Sequence, residues 1–367
     1  MQFLKILEQH KWNVLVAFCF VLFACKKEDN DCVGNPTISK VSAPENLEEE
    51  KTSGSFYDWI SIQGANLCSV TNIRLNDVEV NLSDAYITST EIVFKIPAKK
   101  PKITTNTLSV ITRSGEAKVD FTTTIPPTSI IGSDFEYTEI GDTMVVLGEN
   151  MELLELDGPL SVYFGNGKAN VTRTTSDSIY VIVPPNAVAG DQIKIVAGDG
   201  VETIVPFRYK DNRVLFDFDG KPAASNSGTV NSVGGVSGNY LRVNMLILSN
   251  STDREVIQER TVLPQDVIDH PENYRFKFEI KTDKPFNANA IKIFPDRVNG
   301  SSNHYLWTGT GYHTNGKWKT FAIDLKDAAK VSPLPAKASY LIRIAFHGSG
   351  NLDADMSFDN IRIVPKN

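Results

Sequence analysis

The sequence predicts an all-β protein, with two tandem β-sandwich repeats ahead of a larger two-sheet sandwich. Three observations lead there. No helical period of any length appears after residue 50, and short alternating segments broken by Gly, Asn, Asp and Pro fill the chain instead. The first two thirds repeat at a spacing of about 85 residues, longer than a solenoid unit and therefore a sign of tandem domains. From Asp211 the repeat stops, and the stretch 211–367 is too long for a third copy. With 41% hydrophobic and 22% charged residues among 367, the chain has material for real cores. A net charge of −7 repels phosphate backbones, which excludes a nucleic-acid binder. His10, His270, His304, His313 and His347 are scattered and the cysteines form no C-x-x-C pair, so neither a zinc cluster nor a redox dithiol is expected.

Residues 1–24 read as a signal peptide. Lys5 and Lys11 precede an apolar stretch, Val14 to Ala24, that is too short to span a bilayer. Leu22-Phe23-Ala24-Cys25 resembles a bacterial lipobox, although Phe23 is bulkier than the usual residue there; the resemblance implies cleavage before Cys25 and lipidation of its thiol. Several acyl chains, at about 0.8 kcal/mol per buried methylene, would anchor the protein to a membrane without spanning it. Residues 25–35 form an acidic tether. Its Lys26-Lys27-Glu28-Asp29-Asn30-Asp31 run resembles the export signal of Bacteroidetes-type lipoproteins destined for the outer face of the cell. Cys19 leaves with the signal, so Cys32 and Cys68 either pair, which would stabilise the fold by about 4 kcal/mol, or stay free thiols.

The first repeat covers residues 36–125 and the second residues 126–210. Asp58 to Leu67 corresponds to Asp142 to Met151, and Glu91 to Pro97 to Ser178 to Pro184. Gly115 before a strand to Phe121 matches Gly200 before a strand to Phe207. A strand carrying Gly-x-Asn-Leu or Gly-x-Asn-Met, a small turn, and a strand closing on proline together resemble the immunoglobulin-like TIG/IPT family. That resemblance implies two immunoglobulin-like sandwiches acting as spacers. Gly64 and Gly148 are expected at positive φ, where glycine carries no steric penalty. Pro126-Pro127 stiffens the junction. Phe94, Tyr163, Phe164 and Tyr180 fall on alternating strand positions and are assigned to packing.

In the third domain, residues 211–367, strands are longer. Tyr274, Phe276, Phe278 and Ile280 point one way and Arg275, Lys277, Glu279 and Lys281 the other, as a half-buried strand requires. Further strands over 213–218, 240–248, 290–294, 317–325, 340–346 and 356–364 fit a sandwich or jelly roll. The segment Asn303 to Lys319 mixes Tyr305, Trp307, Tyr312 and Trp318 with amides, hydroxyls and imidazoles, a combination suited to a sugar's C–H face and hydroxyl rim. Alternation places Leu306 inward and Tyr305 and Trp307 outward; with Tyr340, Ile342, Ile344 and Phe346 in the core, Arg343 and His347 lie on the opposite face. The candidate ligand face is therefore Tyr305, Trp307, Arg343 and His347, with Asn303 beside it. Tyr312 is either a second stacking ring or a loop anchor, and Trp318 either a contact or a cap on the sandwich edge.

The opening Val214-Leu215-Phe216-Asp217-Phe218-Asp219-Gly220, the strand Gly316 to Leu325 and the closing Ser357-Phe358-Asp359-Asn360-Ile361-Arg362-Ile363 resemble carbohydrate-binding jelly rolls. Behind a lipobox and TIG-like units, the whole resembles a surface glycan-binding protein of a starch-utilisation-type system, with a final domain of the xyloglucan-binding type. The resemblance implies non-catalytic capture of a polysaccharide, such as xyloglucan or another β-glucan, at the outer membrane. A TonB-dependent transporter and its lipoprotein partner are the implied neighbours. Some similar jelly rolls hold a structural calcium, for which Asp217, Asp219 and Asp359 are candidates; no other cofactor is expected. Asp353-Ala354-Asp355 reads as a solvated turn. Two rival readings stand: a glycoside hydrolase, for which Asp296 and Asp324 are nominally available carboxylates that nothing singles out, and an adhesin that recognises protein.

Overall fold

Gly64 and Gly148 occupy equivalent places, and neither has a positive φ. Gly64 faces Ile38 where the strands Thr37–Ser42 and Trp59–Ala65 pair, and a Cβ there would stand 1.9 Å from the Thr37 carbonyl oxygen. Gly148 faces Ile130 where Ser129–Ser133 and Thr143–Glu149 pair, with 2.2 Å to the Ser129 carbonyl oxygen. Both pairs carry a register shift at the same step, Ile38/Lys40 and Ile130/Gly132. Strand crowding, not φ, therefore demands glycine. The left-handed residue comes two positions later, Asn66 and Asn150, each at φ 55°.

The computed structural model describes Cys32 and residues 34–219, 229–231, 234–296 and 303–366. The signal peptide, Cys25 and most of the tether lie outside the described residues. The protein is all-β apart from short helical turns and divides into two compact units, Met1–Pro126 and Pro127–Asn367. Among the described residues no helix is long and apolar enough to cross a membrane.

In the first unit one sheet runs Thr37–Ser42, Trp59–Ala65, Glu91–Lys95, Tyr86–Ile87, and another runs Val78–Glu79, Val70–Leu75, Thr107–Thr112, Gly115–Asp120. Ile60, Ile62, Ile73, Phe94, Leu108 and Val110 are fully buried between them. Cys32 and Cys68 form a disulfide with Cα atoms 5.9 Å apart, which resolves the choice left by the sequence.

The second unit begins with the other repeat, in the order Ser129–Ser133, Thr143–Glu149, Ser178–Ile182, Gly167–Thr174, Ser161–Phe164, Gln192–Val196, Glu202–Arg208. Phe164 packs in its core, while Tyr163 and Tyr180 are half-buried beneath Lys194 and Arg173. The C-terminal domain is a sandwich of two sheets. The larger runs Thr229–Asn231, Tyr240–Ile247, Leu352–Pro365, Tyr274–Thr282, Lys319–Asp324, with Val214–Phe216 also on Leu352–Pro365. The smaller runs Asn250–Thr261, Tyr340–Gly348, Ala290–Phe294, Tyr305–Trp307. Asp353 to Asp355, expected as a turn, lies inside Leu352–Pro365, and Asp355 is buried in a bidentate pair with Arg242 at 2.8 Å.

Tyr274–Thr282 departs from the half-buried pattern. Its apolar face fills the sandwich, yet Lys277 and Glu279, on the other face, are 1% and 0% exposed. The preceding repeat covers them. Glu136 receives Lys277 at 2.5 Å and Arg362 at 2.9 Å, and Arg362 also reaches Glu279 at 2.6 Å. Burial pushes the Glu279 carboxyl up and the Lys277 ammonium down. Burial also opposes the charge of Arg362, but Glu279 and Glu136 outweigh it and hold the guanidinium protonated. Two cations and two carboxylates thus neutralise one another where the repeat meets the sandwich.

Candidate functional site

The strand Tyr305–Trp307 is short and lies at the edge of the smaller sheet, and its phase is the reverse of the expected one. Trp307 pairs with Ile291, whose neighbour across the sheet is Phe346, both core residues. Leu306 is 47% exposed. Tyr305 and Trp307 are half-buried and pack against the core. The indole stacks on Phe286, centroids 5.0 Å apart and 16° from parallel, and meets Phe321 and Tyr312 edge-on at 5.4 and 5.1 Å. A Cβ on Gly309 would come within 2.3 Å of the indole. Trp307 is thus wedged between neighbours and is no flat bench for a sugar. Trp307→Ala is expected to lower stability by about 2 kcal/mol, below the range for a fully buried tryptophan, checked by thermal melting of the variant.

Arg343 and His347 lie on the outer face of that sheet, away from Trp307, so the expected four-residue face divides in two. Arg343, 3% exposed, pairs with Asp253 at 3.1 Å and Glu255 at 2.9 Å and covers the Phe294 ring at 4.8 Å. Asp253 also meets Lys292 at 3.0 Å and His347 at 2.9 Å. Burial works against the Asp253 charge, but the hydrogen bond from Lys292 and the surrounding cations hold its carboxyl below the ordinary value. Nearby, burial first and Lys292 second keep His304 below the usual imidazole range. Arg343, Asp253, Glu255 and Lys292 are thus tied into one ion-paired group. Half-buried Asn303 leads into the edge strand.

Trp318, half-buried, packs at the edge of the sandwich. It meets Tyr240 edge-on at 5.5 Å, its Nε1 donates to the Gly234 carbonyl at 2.9 Å, and Lys281 lies 5.4 Å from its centroid. The calcium candidates do not assemble. Asp359 accepts from the Val236, Ser237 and Asn360 backbone amides, and burial pushes its carboxyl up to about 7. Asp217 accepts from the Asp219 amide, and Asp219 from that of Asn239. Among the described residues no group of three or more His, Cys, Asp or Glu side chains converges as a metal site. The two carboxylates weighed for hydrolysis are each tied to cations, Asp296 to Lys337, and Asp324 to Lys366 at 2.7 Å and Arg275 at 3.5 Å.

What the loop after Trp307 does form is one wall of a cleft of about 500 Å³. Tyr312, His313, Thr314, Asn315 and Lys317 line it from the C-terminal domain, and Ser133, Asp134 and Leu147 from the preceding repeat. The loop is held firmly. Thr282 and Thr314 exchange amide-to-hydroxyl hydrogen bonds at 2.9 and 2.8 Å, and the Phe286 amide donates to the Tyr312 carbonyl at 2.9 Å. Across the cleft Lys319 pairs with Asp134 at 2.6 Å, and the Thr320 amide donates to the Asp134 carbonyl at 3.0 Å, covering the edge of the larger sheet. Burial pushes the Tyr312 phenol up to about 12, so it stays a neutral donor. One ring braced by an indole, with an imidazole, an amide, hydroxyls and an ammonium around it, provides both the apolar face and the hydrogen-bonding rim that a sugar needs. Of the residues expected from sequence, Tyr312 alone lines this cleft. The repeat's contribution carried no sequence signal, because it comes from packing between domains.

Residues 207–365 match the family model described as the surface glycan-binding protein B xyloglucan binding domain. No curated protein matches the sequence. Among solved structures, the surface glycan-binding protein PbSGBP-B from Prevotella bryantii is similar at 21% identity, covering 91% of this chain and 99% of that one, with a TM-score of 0.58. SGBP-B from a complex xyloglucan utilization locus in Bacteroides uniformis shares 17% identity over 90% of this chain and 99% of that one, with a TM-score of 0.47. The first of these likenesses is one of fold.

Proposed function

With a C-terminal glycan-binding domain of the surface glycan-binding protein B type as premise, we propose that this chain is a cell-surface lipoprotein that captures a polysaccharide without cleaving it. The family match of residues 207–365 carries this reading, and the cleft at Tyr312 supplies its contact surface. The glycan is a neutral β-linked plant polysaccharide, xyloglucan or a related β-glucan. Cys25 carries the lipid that holds the protein at the outer membrane, where a TonB-dependent transporter and its lipoprotein partner receive the captured polymer. The disulfide supports an oxidising compartment outside the cytoplasm. No pair of carboxylates spans the cleft, whose lining has Asp134 as its one acid, and that supports binding rather than hydrolysis.

Affinity electrophoresis through gels containing xyloglucan or mixed-linkage β-glucan tests the cleft. Tyr312→Ala is expected to weaken retention about tenfold, the worth of one aromatic contact. Asn315→Gly, which keeps the left-handed φ of 54°, and His313→Ala, both at exposed positions, are expected to weaken it less while leaving the fold intact. Unchanged retention in all three variants would move the contact surface elsewhere.

A further inference from the structure

Among the described residues, the large aromatic side chains that stand exposed are Trp59, at 50%, and Tyr86, at 63%. Both belong to the first unit, and both project from one face of one sheet. Trp59 pairs with Lys95, and Tyr86 with Val93 on the same central strand. Ile60, Ile92 and Phe94 are fully buried on the opposite face, so alternation puts Trp59, Val93, Lys95 and Tyr86 together on the outside. Two strands and two residues separate the rings, about 12 Å. Between and beside them lie Glu91, which accepts from the Ser61 hydroxyl at 2.7 Å, and Lys95, 5.1 Å from the Tyr57 ring centroid.

The fold does not require the indole. The second repeat builds the same strand with Thr143 where the first has Trp59. A half-exposed aromatic ring adds little to stability, and two such rings on one strip, the Trp59 indole and the Tyr86 phenol, mark a contact surface. We propose that this face is a second carbohydrate contact, made to an uncharged polysaccharide chain by the unit that the sequence casts as a spacer. One carboxylate and one ammonium leave the strip neutral, which complements an uncharged polymer and not a charged one. Rings this far apart seat separate residues of one chain rather than a single sugar. The inference rests on the glycan-binding reading above, because a polymer held by the C-terminal domain is the ligand available to a second, weaker contact.

The test uses the full chain and its Trp59→Ala, Tyr86→Ala and double variants, whose exposed positions leave the core untouched. Xyloglucan and mixed-linkage β-glucan serve as polymers, and a short oligosaccharide of each as the single-site probe. The double variant is expected to lose about fivefold or more in polymer affinity while oligosaccharide affinity stays within about twofold. Unchanged polymer affinity would overturn the inference and leave the C-terminal reading standing. An equal loss for oligosaccharide and polymer would also overturn it, since the substitutions would then act through the C-terminal site. A parent protein that binds neither polymer would overturn the glycan-binding reading itself and this inference with it.

Discussion

Replacing Arg362 with alanine is expected to destabilise the second unit by about 3 to 5 kcal/mol. The guanidinium is 0% exposed and donates to both oxygens of Glu279 and to Glu136. Without it, two buried carboxylates face one another with Lys277 as their nearest cation, and both lose the partner that offset their desolvation. For a unit of this size, each kcal/mol shifts the melting temperature by about 2 to 4 °C, so a fall of roughly 10 °C is expected by calorimetry. The double variant Arg362→Ala with Glu136→Ala should fall short of the sum of the single losses by about 0.5 to 3 kcal/mol, because the second change removes a charge that the first has orphaned. A single-variant loss under about 1 kcal/mol would show that water reaches this cluster.

Reduction of the disulfide should weaken the first unit by about 4 kcal/mol, and that unit alone. The bridge joins residues 36 apart in sequence, and the Cys68 amide also donates to the Cys32 sulfur at 3.1 Å. Opening it frees the start of the domain from the body of the sandwich. With a urea slope of about 1 to 3 kcal/mol per molar, the first unit's transition should move down by roughly 2 M when reductant is added. The second unit holds none of the disulfide, so its transition should stay in place. A common shift of both transitions would mean that the units do not unfold independently.

The repeat was legible in the sequence because each copy solves the same local problem. Gly64 and Gly148 mark the same strand crossing, and Asn66 and Asn150 the same left-handed turn. The physical reason for the glycine was not legible, since the crowding atom belongs to another strand. The C-terminal strands were readable for a similar reason: the apolar faces of Tyr274–Thr282 and Tyr340–Gly348 alternate cleanly. Asn250–Thr261 escaped notice because its polar side chains, Asp253 and Glu255 among them, belong to a charged outer face rather than to a loop. The site was harder. In a three-residue edge strand, hydropathy put Leu306 inside, yet Phe286 and Phe321 provide a socket that only Trp307 fills. Neither partner is near it in sequence. The burial of Lys277 and Glu279 likewise depends on Glu136 in another domain.

Isothermal titration of the full chain with xyloglucan and with mixed-linkage β-glucan, assaying reducing ends in the same solutions, tests glycan capture most directly. Saturable binding in the micromolar-to-millimolar range, about −8 to −4 kcal/mol, with no new reducing ends is the expected result. Steady release of reducing ends, or no binding heat with either polymer, would contradict it.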